Sequence, residues 1–275
     1  MSLSSNEIVI TDDNIKKLDL VLRDLNVDIT SLKKSHLLRR IRVRMLRSGF
    51  KAFDGYYNYL KTSVNEKKEL QLTFSINVTK FFRNADTFEY LQSEIFPILV
   101  KNSVSKRLKI WSAGCANGSE PYTLAIILEK FNIQAHFAKI YATDYNYELL
   151  SFARQGVYSK EYFDETKPEI LQKFFIKENE NFYRVKQSLQ SRIEFKKHNL
   201  VKDVVNFEKN FDLIVCRNVL IYFNRELQPM IFEKFFNALK PGGYLVLGRT
   251  ESMPLDLRKK FKTINTTHRI FQKFD

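Results

Sequence analysis

The sequence has few residues that could cross-link a fold or bind a metal. Among its 275 residues there are only two cysteines, Cys115 and Cys216, and four histidines. Two cysteines in a chain of this length do not form a disulfide framework, and neither residue type shows the spacing of a metal site. We therefore predict no metal cofactor and expect the reduced thiols of a cytoplasmic protein.

Long apolar runs are also missing. No stretch approaches the roughly 20 consecutive apolar residues that a membrane-spanning helix needs. The opening residues, MSLSSNEIVITDD, lack the basic start and apolar centre of a secretory signal. The sequence contains no internal repeat and no low-complexity tract. These absences predict a protein that is neither secreted nor inserted in a membrane.

Acidic residues are outnumbered, 31 against 45 lysines and arginines, which gives a formal charge of +14. The apolar fraction of 44% is sufficient for a hydrophobic core, so the excess charge is not a sign of disorder. A charge of this size indicates a partner that is nucleic acid, a membrane surface or an acidic protein. Composition does not choose among the three.

No acid occurs between residues 29 and 53, where eight residues are basic. Helical spacing places Arg40, Arg44 and Arg47 on one stripe and apolar residues on another. A charged helix face is usually only solvated, but an unbalanced run of this length favours a binding surface. Nucleic acid is the generic candidate.

The pattern of elements predicts two domains. Residues 12–70 show helical periodicity without strand alternation, whereas strands and helices alternate from Arg107 onward. That alternation is typical of a parallel sheet with helices on both faces. The alternating residues at about 172–197 predict a small antiparallel insertion. We thus predict a helical domain at 1–70, a linker at 71–106, and an α/β domain at 107–275.

The loop after the first predicted strand, within IWSAGCANGSEPYTLAIIL at 110–128, matches neither common nucleotide motif. It lacks the Gly-Lys-Ser/Thr of a phosphate loop and the G-x-G-x-x-G of dinucleotide-binding proteins. Glu120 at the start of the next helix either complements the helix dipole or binds a cationic ligand. From this loop alone, both interpretations stay open.

Asp144 follows the second predicted strand, where an acid in a Rossmann-like unit commonly binds ribose hydroxyls. Its alternative role is a helix cap. Because Glu120 would suit a positive group, the two acids together indicate a nucleoside with a cationic tail. S-adenosylmethionine (SAM) has that chemistry.

Three further segments complete the pattern: LTFSINVTKFFRN at 72–84, CRNVLIYF at 216–223 and LKPGGYLVLGRTES at 239–252. In this order, with the segments around Glu120 and Asp144, they resemble the CheR family of chemotaxis receptor methyltransferases over nearly the whole chain. The resemblance implies a Rossmann-like class I SAM-dependent methyltransferase domain, a small all-helical N-terminal domain and a small inserted antiparallel β-subdomain.

The activity implied is methyl transfer from SAM to glutamate side chains of receptor cytoplasmic helices, which leaves S-adenosylhomocysteine (SAH). The basic helix would then meet the acidic methylation helix of the receptor, and we expect a monomer. The predicted cofactor contacts are Asn77, Thr79, Arg83, Gly114, Glu120, Asp144, Asn199, Leu200, Asn218 and Val219.

A substrate glutamate is already ionised near pH 7, so this reaction needs alignment and exclusion of water rather than a general base. Arg83 is predicted to hold the carboxylate of the substrate or of the cofactor, with a structural ion pair as the alternative. Tyr222 is predicted to orient the substrate by a hydrogen bond, with packing as the alternative. The two cysteines are expected to be small packing residues.

Two other functions remain open: a nucleic-acid methyltransferase that uses the basic face, and a non-catalytic SAM-binding signalling protein. The chain also departs from the family pattern. Arg249 occupies a position where many members have histidine, which puts a role for that imidazole in doubt. The predicted β-subdomain turn, in IKENENFYRV, has no glycine. Members that bind a receptor C-terminal pentapeptide have a glycine-rich turn there, so we predict that this protein does not bind one.

Overall fold

The computed structural model describes residues 8–23, 29, 31–74, 79–102 and 107–274. The chain divides into two units. One is a helical unit of residues 1–76 together with Tyr222–Arg225, and the other is an α/β unit of residues 77–221 and 226–275.

Four helices form the described part of the helical unit: α1 Asp12–Arg23, α2 Lys34–Arg47, α3 Phe53–Thr62 and α4 Val64–Phe74. Thr11 and Asn14 exchange backbone-to-side-chain hydrogen bonds of 2.9 and 3.2 Å at the start of α1, which satisfies N–H groups that a helix leaves unpaired. Apolar residues at helical spacing, among them Leu18, Leu22 and Ile41, are fully buried and form the core of the unit.

The segment Tyr222–Arg225 belongs to this unit through backbone contacts with the residues before α2. Leu32 and Phe223 form an isolated antiparallel bridge. The N–H of Lys33 donates to the carbonyl of Tyr222 at 2.9 Å, and the N–H of Asn224 donates to the carbonyl of Ser31 at 3.0 Å. A short loop from the second half of the sequence therefore folds with the N-terminal helices.

The α/β unit is built on a seven-stranded sheet of order β6-β2-β1-β7-β8-β10-β9. Strands β1, β2, β6, β7 and β8 are parallel, and β10 and β9 complete one side with antiparallel pairing. The bounds are β1 Leu108–Ala113, β2 Ala138–Asp144, β6 Ile193–Lys197, β7 Phe211–Cys216, β8 Leu239–Leu247, β9 Phe261–Asn265 and β10 Ile270–Lys273. The central strands read as continuous apolar runs because both faces of the sheet are covered.

Helices lie between these strands in the sequence, as the alternation predicted. Asn146 caps one of them by accepting from the N–H groups of Glu148 and Leu149, and Gly156 ends it in the left-handed conformation. The bounds are α7 Ser119–Lys130, α8 Tyr147–Gln155, α9 Pro168–Phe174, α10 Gln187–Gln190, α11 Gln228–Ala238 and α12 Leu255–Arg258.

The small antiparallel sheet begins earlier and ends sooner than the predicted insertion at about 172–197. It has the order β3-β5-β4, with β3 Val157–Ser159, β4 Phe175–Lys177 and β5 Phe182–Val185. The prediction was wrong for residues 193–197, because β6 pairs in parallel with β2 in the main sheet. The alternation that suggested a hairpin strand belongs instead to a sheet edge, where one face is half exposed.

The predicted linker at 71–106 is not a separate segment. Within its described part, residues 71–74 complete α4, and the α/β unit begins at residue 77. Continuous helix follows, with α5 Ala85–Tyr90, a π-helical turn Leu91–Ile95 and α6 Phe96–Asn102. Phe81, Phe88 and Phe96 lie in the same hydrophobic core as the central strands. Burial of these aromatic side chains makes the segment part of the α/β unit.

Candidate active site

The candidate site lies where the loops after β1, β2 and β7 meet at the carboxyl ends of their strands. The strand order reverses between β1 and β7, which is where open α/β sheets bind ligands. The loop after β1 is closed by bonds from the N–H groups of Gly114 and Cys115 to the carbonyl of Thr143, at 2.8 and 2.9 Å. The loops after β1 and β2 thus form one edge of the site.

Gly114 brings the loops after β1 and β7 together. Its φ is +76°, and a Cβ added to it would lie 2.6 Å from a methyl carbon of Val219. Only glycine allows both this conformation and this approach. Two of the predicted cofactor positions are therefore in direct contact.

Glu120 lies in the first turn of α7, but its carboxylate is not a helix cap. One oxygen accepts from the hydroxyl of Ser112 at 2.8 Å, and the other lies 3.5 Å from a guanidinium nitrogen of Arg217. Burial raises the pKa of Glu120 to about 7, while the charge of Arg217, the bond from Ser112 and the nearby charge of Arg83 oppose that rise. A raised pKa at a buried carboxylate is typical of a ligand-binding group.

Arg217, inside the segment CRNVLIYF, lies beside Glu120, a contact that the sequence did not predict. It is 7% exposed and its guanidinium lies 4.8 Å from the centre of the Phe88 ring. One nitrogen donates to the carbonyl of Arg83 and to the side chain of Asn84, both at 2.9 Å. Arg217 therefore links Glu120 to the turn that contains Arg83.

Asp144 ends β2 and is 8% exposed. Its two oxygens accept from the N–H groups of Asn146 and Ala116, both at 2.9 Å. Burial raises its pKa and these backbone bonds oppose that rise. The cap of α8 is Asn146 rather than Asp144, so the capping alternative for Asp144 is wrong. Each oxygen retains acceptor capacity for a hydroxyl group.

Asn199 and Leu200 follow β6 in a turn that is stabilised by hydrogen bonds within it and by hydrogen bonds from α11. The side-chain oxygen of Asn199 accepts from the N–H groups of Val201 and Lys202, at 2.9 and 3.1 Å. From α11, the ammonium of Lys234 donates to the carbonyls of Leu200, Val201 and Asp203 at 2.7–2.9 Å. The loop is therefore held by hydrogen bonds from its own residues and from α11.

Asn218 and Val219 lie in the loop after β7, which is bound by the buried carboxylate of Glu251. That carboxylate accepts from five backbone N–H groups, those of Gly248 and of residues 218–221, at 2.6–3.3 Å. Glu251 is 3% exposed. The sequence places it in the segment LKPGGYLVLGRTES but gives no indication of this role.

The remaining predicted positions are less fully placed. Asn77 lies outside the described residues, and Thr79 precedes the turn that holds Arg83. Tyr222 groups with the helical unit, where its ring meets His36 edge-on at 5.3 Å and the guanidinium of Arg40 lies 5.6 Å from the ring centre. These contacts favour the packing alternative for Tyr222, and its catalytic role stays a prediction.

The three arginines predicted to form a cationic stripe on α2 differ in their surroundings. Arg44 is not on an exposed face: its guanidinium donates to both oxygens of the buried Glu66, at 2.6 and 2.7 Å, and its side chain is 14% exposed. Arg40 is half-buried and donates to the carbonyl of Thr73 at 2.5 Å. Arg47 is exposed. The prediction of an exposed cationic stripe was wrong for Arg44, because helical spacing does not show which side of a helix packs against its neighbour.

Cys115 and Cys216 are buried and unlinked, and burial raises the pKa of both thiols well above the ordinary value. Neither is poised as a thiolate nucleophile. In the described ranges there is no group of three or more potential metal-ligating side chains. Over the same part of the chain, no helix combines the length and apolar character that a bilayer span requires.

The site is therefore a sheet edge that holds the buried Asp144, a Glu120 side chain that is 13% exposed, and a glycine that permits close approach. Such groups suit a ligand with a cationic tail and a ribose, and together with the topology of the sheet they indicate the class of SAM-dependent methyltransferases.

Comparison with known proteins gives the family. The family model described as CheR methyltransferase, SAM binding domain matches residues 77–270, and the CheR methyltransferase, all-alpha domain matches residues 16–75. The chain belongs to the CheR methyltransferase family.

Its relatives cover nearly its whole length. A chemotaxis protein methyltransferase of Borreliella burgdorferi is 33% identical over 255 residues, which is 90% of each chain. One of Listeria innocua is 35% identical over 234 residues, 85% of this chain and 87% of that protein. Among solved structures, a TehB-like SAM-dependent methyltransferase from Corynebacterium glutamicum is 15% identical, covers 69% of this chain and 94% of its own, and has a TM-score of 0.39.

Proposed function

We propose that this protein transfers the methyl group of SAM to glutamate side chains on the cytoplasmic helices of chemotaxis receptors, forming glutamyl methyl esters. The observation that supports this most is the continuity of the site. Asp144 bonds the loop after β1, Gly114 of that loop contacts Val219, and Glu120 is joined through Arg217 to the turn of Arg83.

The fit to SAM follows from the chemistry of these groups. Glu120 would bind the positive end of the cofactor, Asp144 the ribose hydroxyls, and the loops at 114–118 and 218–219 would contact its body. SAM supplies a methyl group that is electrophilic because the sulfur bears a positive charge. The buried Nε of Arg217 and Nδ2 of Asn117 have no hydrogen-bond partner among the described residues, so the site retains donors for a ligand.

The protein's own part in the reaction is to align the substrate and exclude water. A glutamate carboxylate is ionised near neutral pH and needs no base. Arg83, close enough for its charge to lower the pKa of Glu120, would hold the incoming carboxylate with its planar guanidinium. Orientation of two bound reactants is worth roughly 7–11 kcal/mol of barrier in favourable cases.

For receptor binding we propose the exposed face of α2, revised to the residues that lie on it. Arg39 and Arg47 are exposed, and Val43 and Leu46 between them are 40% and 60% exposed. A cationic face with an apolar centre complements an acidic amphipathic helix. Methylation neutralises a substrate carboxylate, so it would weaken this attraction and favour release of the product.

The same proposal includes independence from a receptor C-terminal pentapeptide. The turn between β4 and β5 is held by Asn179, whose side-chain oxygen accepts from the N–H groups of Asn181 and Phe182 at 2.9 and 3.0 Å. It contains no glycine. Calorimetry should show no specific binding of such a peptide, and a tight complex would contradict this part of the proposal.

The decisive assay is transfer of labelled methyl groups into acidic receptor fragments, with tRNA and DNA as parallel acceptors. We expect label in protein that is released as methanol in mild base, as a glutamyl ester requires. Base-stable label in nucleic acid, with none in protein, would establish the nucleic-acid alternative. Cofactor binding without transfer to any acceptor would indicate the non-catalytic alternative.

Variants test the residues. Asp144→Ala should fold but lose SAH binding, and Arg83→Ala should lose transfer. For the helix face, Arg39→Glu with Arg47→Glu should raise the KM for receptor and leave SAH affinity unchanged. Lys61→Glu with Lys68→Glu is the control, because these exposed residues on α3 and α4 give the same charge change outside α2. If the two double variants raise the receptor KM equally, the effect comes from the net charge of the protein and not from the proposed surface.

A further inference from the structure

We infer that Glu251 is a positioning residue that holds the loop after β7 in its ligand-binding conformation; this inference rests on the proposed cofactor site. Glu251 lies on the turn after β8, and the loop it holds contains Asn218 and Val219. It acts through that loop, because both of its oxygens are occupied by backbone N–H groups.

The geometry divides these N–H groups into two sets. One oxygen accepts from Gly248 at 2.6 Å and Asn218 at 2.9 Å. The other accepts from Val219, Leu220 and Ile221 at 2.8, 2.7 and 3.3 Å. Converging backbone N–H groups in a turn form an anion-binding concavity, and here the anion is supplied by the protein itself.

The loop needs such a support because its backbone includes a residue in an uncommon conformation and N–H groups without helical partners. Asn218 has φ +58°, in the left-handed region that asparagine tolerates but few residues favour. The N–H groups of Leu220 and Ile221 belong to a single turn of 3-10 helix at Leu220–Tyr222, and that of Val219 lies just before it. At the start of so short a helix these three N–H groups have no helical acceptors. A buried carboxylate satisfies several at once, and each charge-assisted bond is stronger than a neutral one.

Space around the carboxylate is equally restricted. A Cβ on Gly248 would lie 2.6 Å from the Glu251 oxygen and 2.7 Å from the nitrogen of Asn218. The turn after β8 and the loop after β7 are therefore fitted to one another, with the carboxylate between them. A glutamine at position 251 would direct its NH₂ group at one of the two sets of N–H donors, so the loop would have to move.

The test compares Glu251→Gln with Glu129→Gln. Glu129 pairs with Arg192 near the far end of α7, roughly 13 Å along the helix from Glu120 at 1.5 Å per residue. Both variants are expected to lower the melting temperature. Only Glu251→Gln should weaken SAH binding, at least tenfold by calorimetry, and only it should speed hydrogen exchange at the amides of residues 218–221. Glu129→Gln should bind SAH within twofold of the unmodified protein.

A double-mutant cycle with Asn218→Ala separates positioning from loss of stability. If Glu251 acts through this loop, the double variant should bind SAH no more than threefold more weakly than Glu251→Gln alone. Additive effects would overturn the inference, as would SAH affinity within twofold of normal in Glu251→Gln. Unchanged amide exchange at 218–221 would overturn it whatever the cofactor result.

Failure of the proposed site gives a different result. In that case Asn218→Ala and Asp144→Ala would both leave SAH affinity unchanged, while amide exchange would still report whether Glu251 holds the loop. If Glu251→Gln does not fold, Glu251→Asp replaces it. Its shorter carboxylate can reach only one set of N–H groups, and the same exchange and binding criteria apply.

Discussion

Cofactor affinity should depend on pH through Glu120. Its side chain is only 13% exposed, and this burial raises the pKa of Glu120 to about 7. A cationic ligand beside it stabilises the ionised form, so binding at lower pH must expel a proton. Raising the pH through this pKa therefore increases affinity.

The magnitude follows from the ionised fraction. With a pKa of about 7, Glu120 is about 3% ionised at pH 5.5 and about half ionised at pH 7. If only the ionised form binds, SAM and SAH should bind about 16-fold more tightly at pH 7 than at pH 5.5, or about 1.6 kcal/mol. This window lies below the range in which an α-amino group titrates, roughly pH 7.7–8.0, so the ligand keeps its charge.

Calorimetry of SAM and SAH in buffers of different ionisation enthalpy measures both the affinity and the proton released. Both ligands have an ammonium group, but only SAM has a sulfonium. Equal pH dependence for the two would place Glu120 at the ammonium, and dependence for SAM alone would place it at the sulfonium.

Glu120→Gln is the control, since it keeps the shape and removes the titration. Asp144→Asn separates the contribution of the second acid, whose pKa burial also raises. The reasoning fails if the affinity of the unmodified protein for each of the two ligands is the same at pH 5.5 as at pH 7. It also fails if Glu120→Gln retains the full pH dependence.

Three further predictions concern single contacts. Gly114→Ala should weaken SAH binding at least tenfold, because its Cβ would meet Val219, and Gly114→Ala with Val219→Ala should recover part of that loss in the same titration. Lys234→Met leaves three carbonyls without their ammonium donor, so it should lower the free energy of unfolding by about 2 kcal/mol and weaken SAH binding. An unchanged stability and an unchanged SAH affinity would contradict the role of Lys234. Arg44→Gln should lower the free energy of unfolding, measured with denaturant, by about 3–5 kcal/mol because it leaves the buried carboxylate of Glu66 without its positive partner. A role on an exposed face predicts instead a higher receptor KM at normal stability.

Much of the fold was predictable because local rules determined it. The second predicted strand, which brings Asp144 to the site, is β2 Ala138–Asp144. The helix that follows it ends at Gly156 in the left-handed conformation. Continuous apolar runs and a glycine stop are local signals that survive in most tertiary contexts. The class of fold was confirmed for the same reason.

Other features of the fold depended on which neighbouring element a strand or helix packs against. The strand at 193–197 has the alternation of a hairpin strand, but pairing with β2 puts it in the main sheet. Periodicity identifies a half-exposed strand without naming its neighbour. The predicted linker likewise contained phenylalanines whose burial became evident only in the folded core.

The sequence by itself determined the class of protein and the places of two acids, Asp144 at a strand end and Glu120 at the start of a helix. Parallel strands bring their carboxyl ends, and the loops that follow them, to one edge. Only the tertiary structure decided the ionisation of Glu120 and the residues that hold the loops of the site. Arg217 lies beside Glu120, Lys234 holds the loop of Asn199, and Glu251 binds the loop of Asn218. These partners are distant in sequence, and a buried charge shows its function only once its surroundings are known.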